Sequence, residues 1–129
     1  MENETSRRLE VLALLGDPRP MQALLDSLRE HRYAVDVATG LADAQRLFFG
    51  TGGHDCLLLA PDIAPGLANK VLHSLRAIDP ALATATFGPE VRHAGGESRT
   101  AVLAGFHPGS RAGTGAMLRF LGKLSHNGG

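Results

Sequence analysis

The stretch His54–Gly66, HDCLLLAPDIAPG, decides the fold. Its apolar run, Cys56–Leu59, follows a polar dipeptide and stops at Ala60-Pro61. A short apolar run between turn signals predicts a strand that is buried on both faces, as in a parallel sheet. Open parallel sheets bind their ligands just past the carboxyl ends of the strands. The segment from Ala60 to Asp62 therefore lies where a functional site is expected.

Apolar runs and helical stripes alternate along the whole chain. Strands are predicted at Leu9–Leu15, Tyr33–Val37, Cys56–Leu59, Leu82–Phe87 and Phe106–Pro108. Apolar residues at helical spacing predict helices around Met21–Leu28, Leu41–Phe48, Leu67–Ile78, Ser98–Gly105 and Met117–Leu124. Strands that alternate with helices indicate a parallel sheet with helices on both faces. The predicted fold is α/β, a flavodoxin-like, doubly wound five-stranded sheet in the order 2-1-3-4-5.

Length and composition favour one globular domain. The 129 residues divide into a polar lead-in (1–8), a domain (9–124) and a tail (125–129). Apolar residues make up 43% and charged residues 20%, with 13 basic and 13 acidic side chains. Zero net charge disfavours direct nucleic-acid binding and removes charge repulsion as a barrier to self-association.

The single cysteine and the polar first residues bear on the compartment. Cys56 lies inside an apolar run, which predicts a buried, inert thiol and excludes a disulfide framework. The chain begins MENETSRR and has no apolar run approaching 18 residues. We therefore expect no signal peptide, no membrane span and a cytoplasmic location.

From Leu9 to Leu124 the chain resembles the receiver domain of two-component response regulators. The segments that carry the resemblance are LEVLALLGDPRP, HRYAVDVATG, HDCLLLAPDIAPG and LATATFGP. The family typically shows Tyr/His-Asp, four apolar residues, the phosphoacceptor Asp and a loop with Pro-Gly. His54-Asp55 and Pro65-Gly66 match that frame. The resemblance implies a role in signal transduction, in a phosphorelay or in transcription regulation.

The resemblance places the phosphoacceptor on Ala60, which has no carboxylate. The nearest acid, Asp62, lies two residues later. A receiver holds Mg²⁺ with two acids after its first strand, and the matching positions are Gly16 and Asp17, so one acid of the pair is gone. A second reading of Asp17 is a cap for the helix that follows it.

Two further receiver positions fall on altered or ambiguous residues. The switch Ser/Thr at the end of the fourth strand matches Thr86 best, with Thr84 as the other candidate. The Lys after the fifth strand has no counterpart, and His107 stands in its place. Phosphoryl transfer to a carboxylate needs the nucleophile, Mg²⁺ and a cation that holds the product.

We therefore expect a degenerate pseudo-receiver, which is not an enzyme, needs no cofactor and acts independently of phosphorylation. Two alternatives stay open. One is a phospho-accepting receiver that uses Asp62 as acceptor and Asp17 as a Mg²⁺ ligand. The other is a sensor of a nucleotide or another small ligand at the carboxyl edge of the sheet, near Gly16, Pro61 and His107.

Other site signals are weak. The glycine-rich segment 105–116 lacks the Lys of G-x-x-x-x-G-K-[ST] and the third glycine of G-x-G-x-x-G. No histidine pair has the H-E-x-x-H spacing of a zinc site. Neither a nucleotide loop nor a metal site is therefore predicted from these residues.

The expected partner is another protein of unknown identity or a second copy of the chain. In the family, the fourth helix, fifth strand and fifth helix commonly form dimers or partner contacts, and the matching region is 98–124. The interface residues expected there are Val102, Met117, Phe120 and Leu121.

Overall fold

Five parallel strands form the centre of a computed structural model that describes residues 8–91 and 99–128. The strands are β1 (Glu10–Leu14), β2 (Ala34–Ala38), β3 (Cys56–Leu59), β4 (Ala83–Thr86) and β5 (Thr100–Val102). All pairings are parallel, and the order is β2-β1-β3-β4-β5. This confirms the predicted flavodoxin-like α/β fold.

In the described residues, four helices cover the sheet: α1 (Gln22–Glu30), α2 (Leu41–Gly50), α3 (Pro65–Arg76) and α4 (Arg111–Gly128). α1 packs beside α4, and α2 packs beside α3, as in a doubly wound sheet. β3 and β4 are buried along their whole length, because helices shield both faces of the central strands. No helix in residues 8–91 and 99–128 combines the length and apolar character that a membrane span requires.

The start of α1 differs from the prediction. A 3-10 turn, Arg19–Met21, precedes the helix, and Met21 is the N-cap residue of α1. The Asp17 carboxylate instead accepts a hydrogen bond from the Arg19 backbone N–H at 3.0 Å, so it supports the 3-10 turn. The prolines that flank Arg19 suit such a turn because neither has a backbone N–H to satisfy.

Two helix ends also need correction. Ile78 was expected on the apolar stripe of α3, but the helix ends at Arg76 and the Ile78 side chain is 64% exposed. The predicted tail from residue 125 onward continues the helical backbone of α4 as far as Gly128.

The largest error concerns the fifth strand. The prediction placed a helix over 98–105 and a strand at Phe106–Pro108. In the described residues β5 is Thr100–Val102, and Phe106 and His107 lie in the turns that lead to α4. Between β4 and β5, residues 87–91 contain no helix, and Arg99, directly before β5, has 3-10 conformation. The sequence also predicts a glycine-containing loop at 93–97, which lies outside the described residues.

The predicted burial of the single thiol is confirmed. Cys56 is fully buried at the start of β3, and burial raises the pKa of its thiol from 9.0 to about 12. Only the thiolate reacts readily with alkylating or disulfide reagents.

We therefore expect native Cys56 to resist a disulfide reagent at pH 8. A rise in pKa from 9.0 to about 12 lowers the thiolate fraction about a thousandfold, and burial blocks access as well. The measurement is the rate of reagent colour release with and without denaturant. One thiol should react in denaturant. Rapid stoichiometric reaction of the native protein would contradict the buried position.

Candidate functional site

The candidate site is the mouth of the sheet, defined as the carboxyl ends of β1, β3 and β4 with the loops that follow them. Ala60 extends β3 by one residue, because its backbone N–H donates to the Leu14 carbonyl at 3.0 Å. Its residue surface is 1% exposed. The position that the resemblance assigns to a phosphoacceptor is thus a buried methyl group with no nucleophile.

Asp62 turns back across the mouth to the loop after β1. Its Oδ1 accepts the Gly16 backbone N–H at 3.2 Å, and its Oδ2 accepts the Asp17 backbone N–H at 2.8 Å. Hydrogen bonds from backbone N–H groups to a carboxylate are charge-assisted and stronger than neutral ones. The loop after β3 is therefore fastened to the loop after β1 by both oxygens of one side chain.

The absence of a side chain at Gly16 leaves room for this contact. A Cβ atom at position 16 would lie 2.6 Å from Asp62 Oδ2, which is far inside van der Waals distance. The only described glycines with positive φ are Gly52 and Gly53, so backbone conformation does not explain Gly16. The Asp62 carboxylate occupies the space into which a side chain at position 16 would project. That position is the one that the resemblance assigns to the missing acid.

The same loop contacts the other neighbouring strand. A Cβ atom at Gly88, just past β4, would lie 2.9 Å from Pro61 Cα and 3.1 Å from the Pro61 carbonyl oxygen. Because these are backbone atoms, they cannot move aside as a side chain can. The loop after β3 thus contacts both neighbouring loops: Asp62 lies against Gly16, and Pro61 lies against Gly88.

The Asp17 carboxylate is engaged elsewhere. Arg19 Nη2 donates to Asp17 Oδ2 at 2.9 Å, and Arg19 Nε lies 3.1 and 3.2 Å from the two oxygens. These side-chain hydrogen bonds hold the pKa of Asp17 below its usual value. The pair is exposed, so its contribution to stability is small. Asp17 and Asp62 therefore meet through the Asp17 backbone, while their carboxylates have separate partners.

Thr86 ends β4 and is 1% exposed. Its hydroxyl donates to the Pro89 carbonyl at 2.6 Å and accepts the Gly88 backbone N–H at 3.3 Å. Both bonds lie within the loop after β4, so the hydroxyl shapes this loop. Thr84, the other switch candidate, is buried and accepts a hydrogen bond from Arg76 Nη2 at 3.3 Å.

His107 is exposed and lies five residues past the end of β5. Its Nδ1 accepts the Gly109 backbone N–H at 3.1 Å, and its carbonyl oxygen accepts the Ser110 N–H and hydroxyl. These bonds turn the chain into α4. A Cβ atom at Gly113 would lie 2.2 Å from that carbonyl, so close packing accounts for this glycine. The match of His107 to the receiver Lys requires a position directly after the fifth strand, and His107 does not have that position in the structure.

The four expected interface residues divide by burial. Met117 and Leu121 are fully buried and Phe120 is 9% exposed, so α4 uses them to pack on the sheet. Their assignment to an interface stays a prediction, and their burial in the single chain does not favour it. Val102 is 65% exposed and remains accessible.

No group of three or more His, Cys, Asp or Glu side chains that could hold a metal ion occurs in the part of the chain that is described. Among the open grooves on the described surface, two are similar in size. One, of about 480 Å³, lies between α1 and the start of α4; the other, of about 450 Å³, lies beside β5 and includes Thr86, Glu90 and Val102.

Neither a scan against protein-family models nor a search of curated proteins found a match for this chain. The fold class is therefore established by the sheet itself. The receiver resemblance remains a prediction from the sequence pattern.

The sequence reasoning missed the partnership of Asp62 with Gly16 and of Pro61 with Gly88. A usable signal was present for the first: an acid is missing at position 16, and an acid appears two residues past the expected acceptor. For the second contact the sequence holds only a glycine after a strand, which has many causes.

We expect Gly16→Ala to destabilise the protein by about 1 kcal/mol, because the new Cβ displaces the Asp62 carboxylate from its two N–H donors. In an Asp62→Ala background the same change should be neutral or slightly stabilising, since alanine restricts the unfolded chain. Denaturant unfolding of the four proteins measures this coupling. Gly66→Ala is the matched control, because nothing lies within 4 Å of its Cβ position. Equal effects of Gly16→Ala in both backgrounds would contradict the contact.

Proposed function

We propose that this chain is an atypical receiver-like signalling domain that acts through protein–protein contacts and does not accept a phosphoryl group. One observation carries the proposal: the Asp62 carboxylate occupies the mouth of the sheet and binds the Gly16 and Asp17 amides. The strand end beside it carries only the Ala60 methyl group. The cytoplasm is the proposed location, and regulation of transcription is a proposed context that rests on the resemblance.

The state of the switch position supports the same proposal. A hydroxyl that responds to a new phosphoryl group must be able to leave its present partners. The Thr86 hydroxyl has both a donor and an acceptor bond within its own loop, at a buried position. Moving it would leave the Pro89 carbonyl without that donor, which costs free energy when the group is shielded from water.

The phospho-accepting alternative requires several contacts to change together. Asp62 would have to release two backbone N–H groups, and Asp17 would have to release Arg19. Mg²⁺ needs about two carboxylates with the remaining positions filled by water and phosphate oxygens. These contacts therefore favour the reading in which the mouth of the sheet accepts no phosphoryl group.

The experiment incubates the protein with Mg²⁺ and acetyl phosphate and reads the intact mass, with a competent receiver domain treated in parallel. The amide spectrum with Mg²⁺ and beryllofluoride is the second readout. We expect no stoichiometric mass gain and no Mg²⁺-dependent shift of the Gly16, Asp17 or Thr86 amides.

Asp62→Asn is the matched variant, because it keeps the shape of the side chain and removes its negative charge. A Mg²⁺-dependent phosphoryl adduct that is present in the wild type and lost in Asp62→Asn would overturn the proposal. It would establish Asp62 as an acceptor instead.

A further inference from the structure

The charges of this chain are divided unevenly along its length. The last part of the chain, residues 98–129, contains no acidic residue, so all 13 acidic side chains come before it. It contains four basic residues: Arg99, Arg111, Arg119 and Lys123. Three of these four cations belong to α4, which has no Asp or Glu along its whole length. The zero net charge of the chain is thus compatible with one helix that is basic.

The three cations of α4 lie on its outer face. Met117 and Leu121 are buried on the side of the helix that packs on the sheet. Arg111, Arg119 and Lys123 are exposed, and steps of eight and four residues keep them on one side of the helix. Among the described residues, no acidic side chain is within ion-pair distance of any of the three. Their charges are therefore available to a partner.

A groove beside this face brings two of the cations to one place. It has a volume of about 480 Å³ and lies between α1 and the first turns of α4, where Arg111, Thr114 and Gly115 line it. A Cβ atom at Gly115 would lie 3.5 Å from Arg119 Nη1, so the Arg119 guanidinium extends back along the helix to Gly115. Arg111 and Arg119 therefore both adjoin this groove, and a guanidinium can donate two parallel N–H bonds to one carboxylate.

We propose that the outer face of α4, together with this groove, binds an acidic segment of a partner protein. This deepens the proposed function, on which it rests, by naming the chemistry of the partner and the surface that it contacts. Along the helix axis, Arg111 and Arg119 are about 12 Å apart, and Arg119 and Lys123 are about 6 Å apart. An extended segment advances about 7 Å for every two residues. Carboxylates on alternate residues of such a segment therefore match the spacing of the cations.

Two other anionic partners fit this surface less well. Proteins bind duplex nucleic acid by neutralising many phosphates, and three cations on one helix provide few such contacts. A helix that lies on an anionic membrane needs exposed apolar side chains beside its basic ones. The exposed large hydrophobic side chains of the described residues all lie outside α4; they are Phe49, Ile78, Val102 and Phe106. A polar helix face beside a groove instead suits a peptide segment that carries carboxylates.

The test is the fluorescence anisotropy of a labelled peptide of about ten residues in which Glu and Ser alternate. A peptide of the same length in which Gln replaces Glu is the uncharged control. Protein concentrations from about 1 µM to about 1 mM cover the affinity expected of a few exposed charge pairs. We expect the wild type to bind the Glu peptide and not the Gln peptide. The affinity should fall as salt concentration rises, because exposed charges are screened.

Arg111→Gln and Arg119→Gln should each weaken binding of the Glu peptide about threefold, and the double variant about tenfold, since each change removes one exposed charge pair. Lys70→Gln is the matched control, because Lys70 is exposed on α3, which packs beside α2. It should keep the wild-type affinity. Denaturant unfolding should be nearly the same for all variants, because the changed side chains are exposed.

Equal binding of the Glu and Gln peptides by the wild type would overturn the proposal, and so would an affinity that the double variant leaves unchanged. Duplex DNA and vesicles of phosphatidylcholine with phosphatidylserine are measured in parallel. Tighter binding of either one than of the Glu peptide, with the same dependence on Arg111 and Arg119, would show that the class of partner is wrong.

Failure of this inference is distinguishable from failure of the proposed function. Anisotropy measures binding at the outer face of α4, while the intact mass after acetyl phosphate treatment measures phosphoryl acceptance at the mouth of the sheet. Absence of peptide binding without an adduct removes only the acidic partner. Peptide binding together with an Asp62-dependent adduct removes only the phosphorylation-independent function.

Discussion

The carboxylate of Asp62 on the backbone of Gly16 and Asp17 is the contact on which the mouth of the sheet depends. Asp62 lies 46 residues from Gly16 and 45 residues from Asp17 in sequence, so the contact joins two distant loops. Because Pro61 packs on Gly88 at the same time, one loop is fixed to both neighbouring strands of β3. The carboxyl ends of the three central strands are thus joined by a single short segment, and the exposed Asp62 carboxylate lies at the edge where this fold usually binds ligands.

This arrangement separates the fold from the chemistry that often accompanies it. A doubly wound sheet offers a crevice at its carboxyl edge, but a site exists only if suitable groups are free to act there. Here Asp62 accepts two backbone N–H groups, Asp17 is paired with Arg19, and the strand end is alanine. Among the described residues of the sheet, the most exposed apolar side chain is Val102 on β5.

The sequence predicted the parts of the fold whose pattern is strong. Continuous apolar runs and i, i+3, i+4 stripes located β1 to β4 and α1 to α3, and the alternation predicted the strand order. It failed at β5 because Thr100–Leu103 is a short apolar run that periodicity cannot assign to helix or strand. An edge strand has few neighbours to impose a pattern, and its identity depends on pairing with Thr84–Thr86, which is not a local property.

For the site, the sequence predicted only which functional groups are missing. A residue type shows at once that Ala60 cannot accept a phosphoryl group, but no local rule shows where the Asp62 side chain points. The two departures from the receiver frame, glycine at position 16 and an acid at position 62, are physically one feature. A side chain at position 16 would displace the Asp62 carboxylate from its present place, and without Asp62 those two N–H groups would lose their acceptor. The mouth therefore carries a negative charge on the loop after β3, where two backbone N–H groups bind it.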